Sequence, residues 1–222
     1  MISQTEENYL KALFTLTHSR GEATANEISK MLQIKMPTVN SMMKRLAEKD
    51  LVVYESYKPV KLTPEGKRQA ALIIRKHRLT EMFLVEKMGF GWEEVHHIAE
   101  QIEHIKAQEF FDKMDALLGY PKVDPHGSPI PDADGNMAND QYRKLSDCFA
   151  GDRVKFAAVK SSSEALLKFL NSRELSLATT IAVGDTESFD QSMHVSYNGR
   201  HELLSAKVCE QLLVTPLDAK SS

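Results

Sequence analysis

Apolar residues recur with a helical period at the start of the chain. Tyr9, Leu10, Leu13, Phe14 and Leu16 form one stripe, which predicts an amphipathic helix over residues 4–18, broken at Gly21. A shorter helix is predicted over "TANEISKML", residues 24–32, where Thr24 and Glu27 have the spacing of a capping box. After the turn "QIKM", Pro37 suits the first turn of a third helix, "PTVNSMMKRLAEKD". Val39, Met42, Met43 and Leu46 mark its inner face, while Thr38, Asn40, Ser41, Lys44 and Arg45 largely face out. In "LVVYESYKPVKLT" two short β-rich runs flank Ser56–Pro59, which predicts a hairpin. Thr63 then offers an N-cap and Pro64 a first helical position. Helix, helix, helix, hairpin, helix is the order of a winged helix-turn-helix.

Residues 64–120 continue as helix, rich in Met, Phe and Leu. "LTEMFLVEKMGF" and "IKAQEFFDKMDALLGY" hold more apolar side chains than one thin helical layer covers, so burial against a second copy is expected. The character changes in "PKVDPHGSPIPDADGNMAND", whose four prolines and two glycines predict a linker or long loop. Its "DADGN" does not begin a calcium loop: with Asp132 first, the sixth residue is Met137 and the twelfth Arg143, where Gly and Glu are required. Beyond it, "RVKFAAV", "TIAVGDT", "MHVSYNG" and "QLLVTPL" read as strands and "SEALLKFLNSR" as a helix, with a hairpin turn at Asn198-Gly199. The expected fold class is therefore α+β and multidomain: a winged helix-turn-helix (1–73), an all-helical domain (74–120), a Pro/Gly-rich linker (121–144) and a small β-barrel (145–222). No internal repeat of fixed period is present.

Composition narrows the function classes. Of 222 residues 42% are hydrophobic, enough for packed cores, yet no apolar run is long enough to predict a membrane-spanning helix. The start "MISQTEENYL" lacks the basic and apolar stretches of a signal peptide, and the only cysteines, Cys148 and Cys209, form no disulfide framework. The expected compartment is the cytoplasm. Net charge is only −3, but from Lys35 to Arg78 eleven Lys/Arg face four Asp/Glu. A basic segment in an otherwise acidic chain is the footprint of a polyanion-binding module, or of a solvated helix face. With the third helix in a major groove of double-stranded DNA, Pro37, Thr38, Asn40, Ser41 and Lys44 would lie at the groove, and Tyr57 and Lys58 on the wing would touch the backbone.

"EVHHIAEQIEH" concentrates three histidines and three glutamates in eleven residues. On a helix His96, Glu100, Glu103 and His104 share a face, and His97 is turned about 100° away from it. Upstream, "HRLTE" sets His77 and Glu81 one turn apart on another helix. If the two helices pack, six nitrogen and oxygen donors converge on a metal; otherwise both faces are solvated. The chain has no HExxH and no nucleophile motif to support hydrolysis, and it is not expected to be an enzyme.

These residues carry a resemblance. Through "TEENYLKALFTL", "MPTVNSMMKRLAEKDLV", "LTPEGKRQA", "RKHRLTEMFL", "VHHIAEQIEHI" and "LGYPKVDPHGSPIP" the chain resembles, over essentially its whole length, the DtxR/MntR family of metal-dependent bacterial transcriptional repressors. The resemblance implies a metal-activated homodimer on palindromic operators, with a metal-binding dimerisation domain and a FeoA-like (SH3-like) third domain. It implies a primary metal site of Glu100, Glu103 and His104 with Asn8 from the first helix, where manganese-type relatives have Asp and iron-type relatives Met. It implies an ancillary site of His77, Glu81 and His96, with Asp124 and His126 as further candidates because "DPHG" stands where streptococcal relatives have "CPHG". Lys11 stands where two-domain manganese sensors have a carboxylate ligand, which argues against their paired binuclear arrangement. Iron-type members have Cys where this chain has Glu100. The imidazole and carboxylate donors thus suit Mn2+ first and Fe2+ as the alternative, with Zn2+ able to bind in vitro. Two other readings stay open: a metalloenzyme using the His/Glu cluster, and a winged-helix regulator that senses a non-metal ligand.

Overall fold

A computed structural model describes residues 2–17, 20–138 and 142–217. The first part is helical: α1 (Gln4–Thr17), α2 (Ala25–Leu32), α3 (Met36–Glu48), strands β1 (Val52–Val53) and β2 (Lys61–Leu62), then α4 (Pro64–Met88), α5 (His96–Ile102) and α6 (Gln108–Leu117). There follow β3 (Arg143–Lys144), β4 (Arg153–Val159), α7 (Glu164–Asn171), β5 (Thr180–Thr186), β6 (Met193–Tyr197), β7 (Arg200–Leu204), α8 (Ala206–Cys209) and β8 (Leu212–Pro216). The chain divides into two compact units: Met1–Thr80 with Ala99–Lys122 and Ile130–Ala138, and Glu81–Ile98 with Val123–Pro129 and Asn139–Ser222.

In the first unit the N-terminal elements are built as the sequence predicts. Thr24 caps α2 by accepting from the Glu27 amide, and Glu27 returns the bond to the Thr24 amide at 2.8 Å, a complete capping box. Pro37 occupies the first turn of α3, and Thr63 accepts from the Gly66 amide at 2.9 Å to cap α4. β1 and β2 pair antiparallel, and Ala23 bridges to Val60 beside them, forming the wing. Tyr9, Leu10 and Leu13 of α1, Ile28 of α2, and Val39, Met43 and Leu46 of α3 make one core, closed below by Val52, Leu62 and Ala70. The stripe on α1 is therefore what holds α2 and α3 in place.

The second unit contains a six-stranded antiparallel sheet in the order β3-β8-β4-β5-β6-β7. Its buried face presents Val154, Phe156, Ile181, Val183, Val195 and Val214, covered by Leu167 and Leu170 of α7. Cys148 and Cys209 are buried in this core as free thiols. The turn joining β6 to β7 is the predicted Asn198-Gly199, with φ of 48° and 76°; positive φ at both positions matches the right-handed twist of the strands. β7 and β3 are additions to the sequence reading. "RHELL" is too polar to read as a strand alone, and the hairpin turn supplies its partner.

The segment from 121, expected as a linker, is tied down where it is described. Asp124 Oδ1 accepts from the amides of His126 (2.8 Å) and Ser128 (2.9 Å), and Val123 bridges to Pro129. The Val159 amide of β4 donates to the His126 carbonyl at 3.0 Å. Gly127, at φ 84°, lies so close to β4 that a Cβ there would stand 2.0 Å from the Ala157 carbonyl oxygen. Among the described residues no helix is long and apolar enough to cross a membrane.

Candidate metal centres and nucleic-acid surface

Two clusters of carboxylates and imidazoles form, one in each unit. In the first unit α5 ends at Ile102, and Glu103 and His104 sit in the turn just beyond it. The Glu103 amide still bonds to the Ala99 carbonyl at 2.9 Å, so the helical phase that groups these residues persists for one more position. The Glu103 side chain is fully buried. Its two oxygens accept from Lys11 Nζ at 2.7 and 2.9 Å, and one of them also from His77 Nδ1 at 2.5 Å. Burial works to raise the Glu103 pKa, but His77 and Lys11 outweigh it and hold the carboxyl below its ordinary value, so it is ionised at neutral pH.

His104 Nδ1 donates to Glu7 Oε2 at 2.6 Å, and Lys106 pairs with the other Glu7 oxygen. This fixes the imidazole tautomer: with the proton on Nδ1, Nε2 carries the lone pair. That Nε2 lies 3.7 Å from Glu103 Oε1. Glu100, more exposed, reaches the same cluster through Lys11, at 3.9 Å.

From the first helix Glu7, beside the expected Asn8, reaches this cluster. Asn8 is exposed, whereas Glu7 is buried and reaches His104. The reason is helical phase: each position turns about 100°, and Glu7 lies three residues before the buried Leu10, whereas Asn8 shares the outer face with Thr15. The apolar stripe carried this signal. His77 turns its Nδ1 to Glu103 at 2.5 Å, and the expected group of His77, Glu81 and His96 offers ligand atoms within 4.8 Å of one another.

In the second unit Glu81, Asp124 and His126 are all buried and offer ligand atoms within 4.8 Å of one another. His126 Nε2 donates to the Trp92 carbonyl at 2.7 Å, so in the neutral ring Nδ1, 3.5 Å from Glu81 Oε2, is the nitrogen that could ligate. Burial pushes the His126 pKa down, but Glu81, Asp124 and the Trp92 carbonyl more than reverse it, for a net rise. His96, exposed, meets the other Glu81 oxygen at 3.2 Å. Trp92 was not foreseen. Its indole donates to Asn171 at 2.7 Å, anchoring the carbonyl that orients His126 to the end of α7. Two carboxylates and an imidazole poised this way fit a divalent cation that accepts oxygen and nitrogen donors.

The outer face of α3 meets the wing across an open groove lined by Thr24, Asn26, Met36, Asn40, Lys44 and residues 56–59. Pro37, Thr38, Ser41 and Lys44 are exposed and Asn40 is half-buried. Tyr57 is fully exposed at the wing tip with φ 67°, and Lys58 pairs with Glu55 at 2.8 Å. Thr24, Asn26 and Met36 join this surface without having been singled out, because α2 packs beside α3.

Residues 1–60 match the family model described as the iron dependent repressor N-terminal DNA binding domain, and residues 63–132 that of its metal binding and dimerisation domain. The chain is 29% identical over 157 residues to an iron-dependent repressor of Mycobacterium leprae, covering 68% of each chain. It is 29% identical over 120 residues to an HTH-type transcriptional regulator, MntR, of Geobacillus thermodenitrificans, covering 54% of this chain and 84% of that one. Among solved structures, a manganese-dependent transcriptional repressor in complex with manganese superposes with a TM-score of 0.88 at 30% identity, over 96% of this chain and all of the other.

Proposed function

Because the chain belongs to the DtxR/MntR family of iron-dependent repressors, we propose that it is a manganese-responsive transcriptional repressor that binds palindromic operators as a cytoplasmic homodimer, with Fe2+ as the alternative metal. The family is one of DNA-binding repressors, not of enzymes. The observation that carries the reading is the Glu7–His104 bond, which joins α1, within the matched DNA-binding segment, to the Glu103–His104 turn of the matched metal-binding segment.

Glu103 and His104 would hold the metal, with Glu100 beside them; Glu81, Asp124, His126 and His96 would hold a second, and His77 stands one turn from Glu81 on α4. Bound there, a divalent cation supplies concentrated positive charge to buried carboxylates. Glu7 orients the His104 ring and ties it to α1. Through Leu10, Leu13 and Ile28, α1 in turn fixes α3, so the turn after α5 governs the aim of the recognition helix. On α6, Phe110 and Leu117 are exposed apolar side chains suited to the dimer contact. Pro37, Thr38, Asn40 and Ser41 would face base edges, and Lys44, Tyr57 and Lys58 the backbone. The oxygen and nitrogen donor set supports Mn2+ or Fe2+; Zn2+, higher in the divalent affinity order, would also bind in vitro.

The test is a gel-shift titration on an operator selected from random duplexes in the presence of Mn2+. Affinity should differ by tenfold or more between Mn2+-loaded and chelated protein, a coupling of about 1.4 kcal/mol or more. Equal affinities rule the reading out.

A further inference from the structure

On α1, Glu7 and Lys11 are one turn apart and address consecutive residues: Glu7 takes His104 and Lys11 takes Glu103. The Lys11 ammonium bonds both Glu103 oxygens, at 2.7 and 2.9 Å, and lies 3.9 Å from Glu100 Oε1. Any ion bound between Glu103 and His104 therefore shares its carboxylate with a fixed positive charge. We infer that Lys11 is a built-in competitor for the metal, whose ammonium occupies Glu103 and raises the Mn2+ concentration at which this cluster fills. The inference rests on reading Glu103 and His104 as metal donors.

Two physical effects give it opposite signatures in one variant. A dication and an ammonium close to the same carboxylate repel, and the low dielectric around a fully buried side chain weakens the repulsion far less than water does. Removing the ammonium should therefore strengthen metal binding. Glu103 would at the same time lose a partner, and a buried carboxylate stripped of a partner costs stability. The substitution should thus weaken the protein without metal and tighten it toward metal. A lysine that merely filled space or anchored α1 would not produce the second effect.

The experiment uses the full chain with Mn2+ alone as the probe. Calorimetric titration and thermal melting, with chelator and with Mn2+, are run on wild type, Lys11→Met and Lys11→Arg. Lys11→Met should bind Mn2+ at one class of site about tenfold or more tightly, while the other class is unchanged. It should also melt several degrees lower than wild type in chelator and gain more on adding Mn2+. Lys11→Arg keeps the charge and should stay within about threefold of wild type. If Lys11→Met does not fold, Lys11→Gln, which keeps a hydrogen-bond donor without charge, is read the same way. Wild type and the uncharged variant binding Mn2+ equally tightly, or an uncharged variant as stable as wild type in chelator, overturns the inference alone. If Mn2+ binds neither protein, the metal-site reading falls and takes the inference with it.

Discussion

Glu7 and Asn8 are one bond apart in the chain, yet only Glu7 is aimed inward. Glu6 beside it is fully buried and serves a different purpose, bonding Lys49 at 2.7 Å and Arg45 at 2.9 Å to tie α1 to the end of α3. The α1 helix thus commits successive acidic residues to structure and to coupling. Glu7→Ala should leave Mn2+ binding by Glu103 largely in place but reduce the metal dependence of operator binding from tenfold or more to less than about twofold. Asn8→Ala should leave both near wild type. Metal titration and gel shift, run separately on each variant, read the two quantities; a loss of coupling in Asn8→Ala with Glu7→Ala unaffected would restore Asn8 as the first-helix arm. The choice between these neighbours was legible from the spacing of Tyr9, Leu10 and Leu13.

Among the elements, the N-terminal helices and their caps were readable because each rests on local chemistry: the capping box at Thr24, Pro37 in a first turn, Thr63 ahead of Pro64. The "DPHG" loop was not, because proline and glycine content reports local turn preference and says nothing about tertiary hydrogen bonds. Its order comes from Asp124 folding back on two amides and from β4 bonding the His126 carbonyl. Gly127 permits that approach. Gly127→Ala combines an unfavourable φ of 84° with a Cβ 2.0 Å from a carbonyl oxygen, so it should destabilise the second unit by about 2 kcal/mol or more. Thermal melting should show the loss, and Mn2+ titration should show weaker binding at the Glu81–Asp124–His126 cluster. Gly151→Ala, at a positive φ but with open space around its Cβ, separates backbone strain from the clash and should cost less.

Across the chain, chemistry is sorted by location. Positive charge collects between Lys35 and Arg78, around the winged helix-turn-helix; donors for metal collect from the middle of α4 onward; the sulfur of cysteine is confined to the core of the sheet. That last feature bears on life under oxidative attack. Peroxide reacts with thiolate, and burial pushes the Cys209 thiol up to about 11 and the Cys148 thiol above its ordinary value, so both stay protonated and shielded at neutral pH. No cysteine belongs to either donor cluster, and Asp124 stands in "DPHG" where a thiolate ligand would be open to oxidation. Peroxide treatment should therefore leave Mn2+-dependent operator binding unchanged in a gel shift, and mass spectrometry should find both thiols unmodified until the protein is unfolded. Replacing Asp124 by Cys should make the response peroxide-sensitive. On the proposed reading, a sensor of this composition would go on reporting its metal while oxidants are present, because no ligand it relies on is one that peroxide consumes.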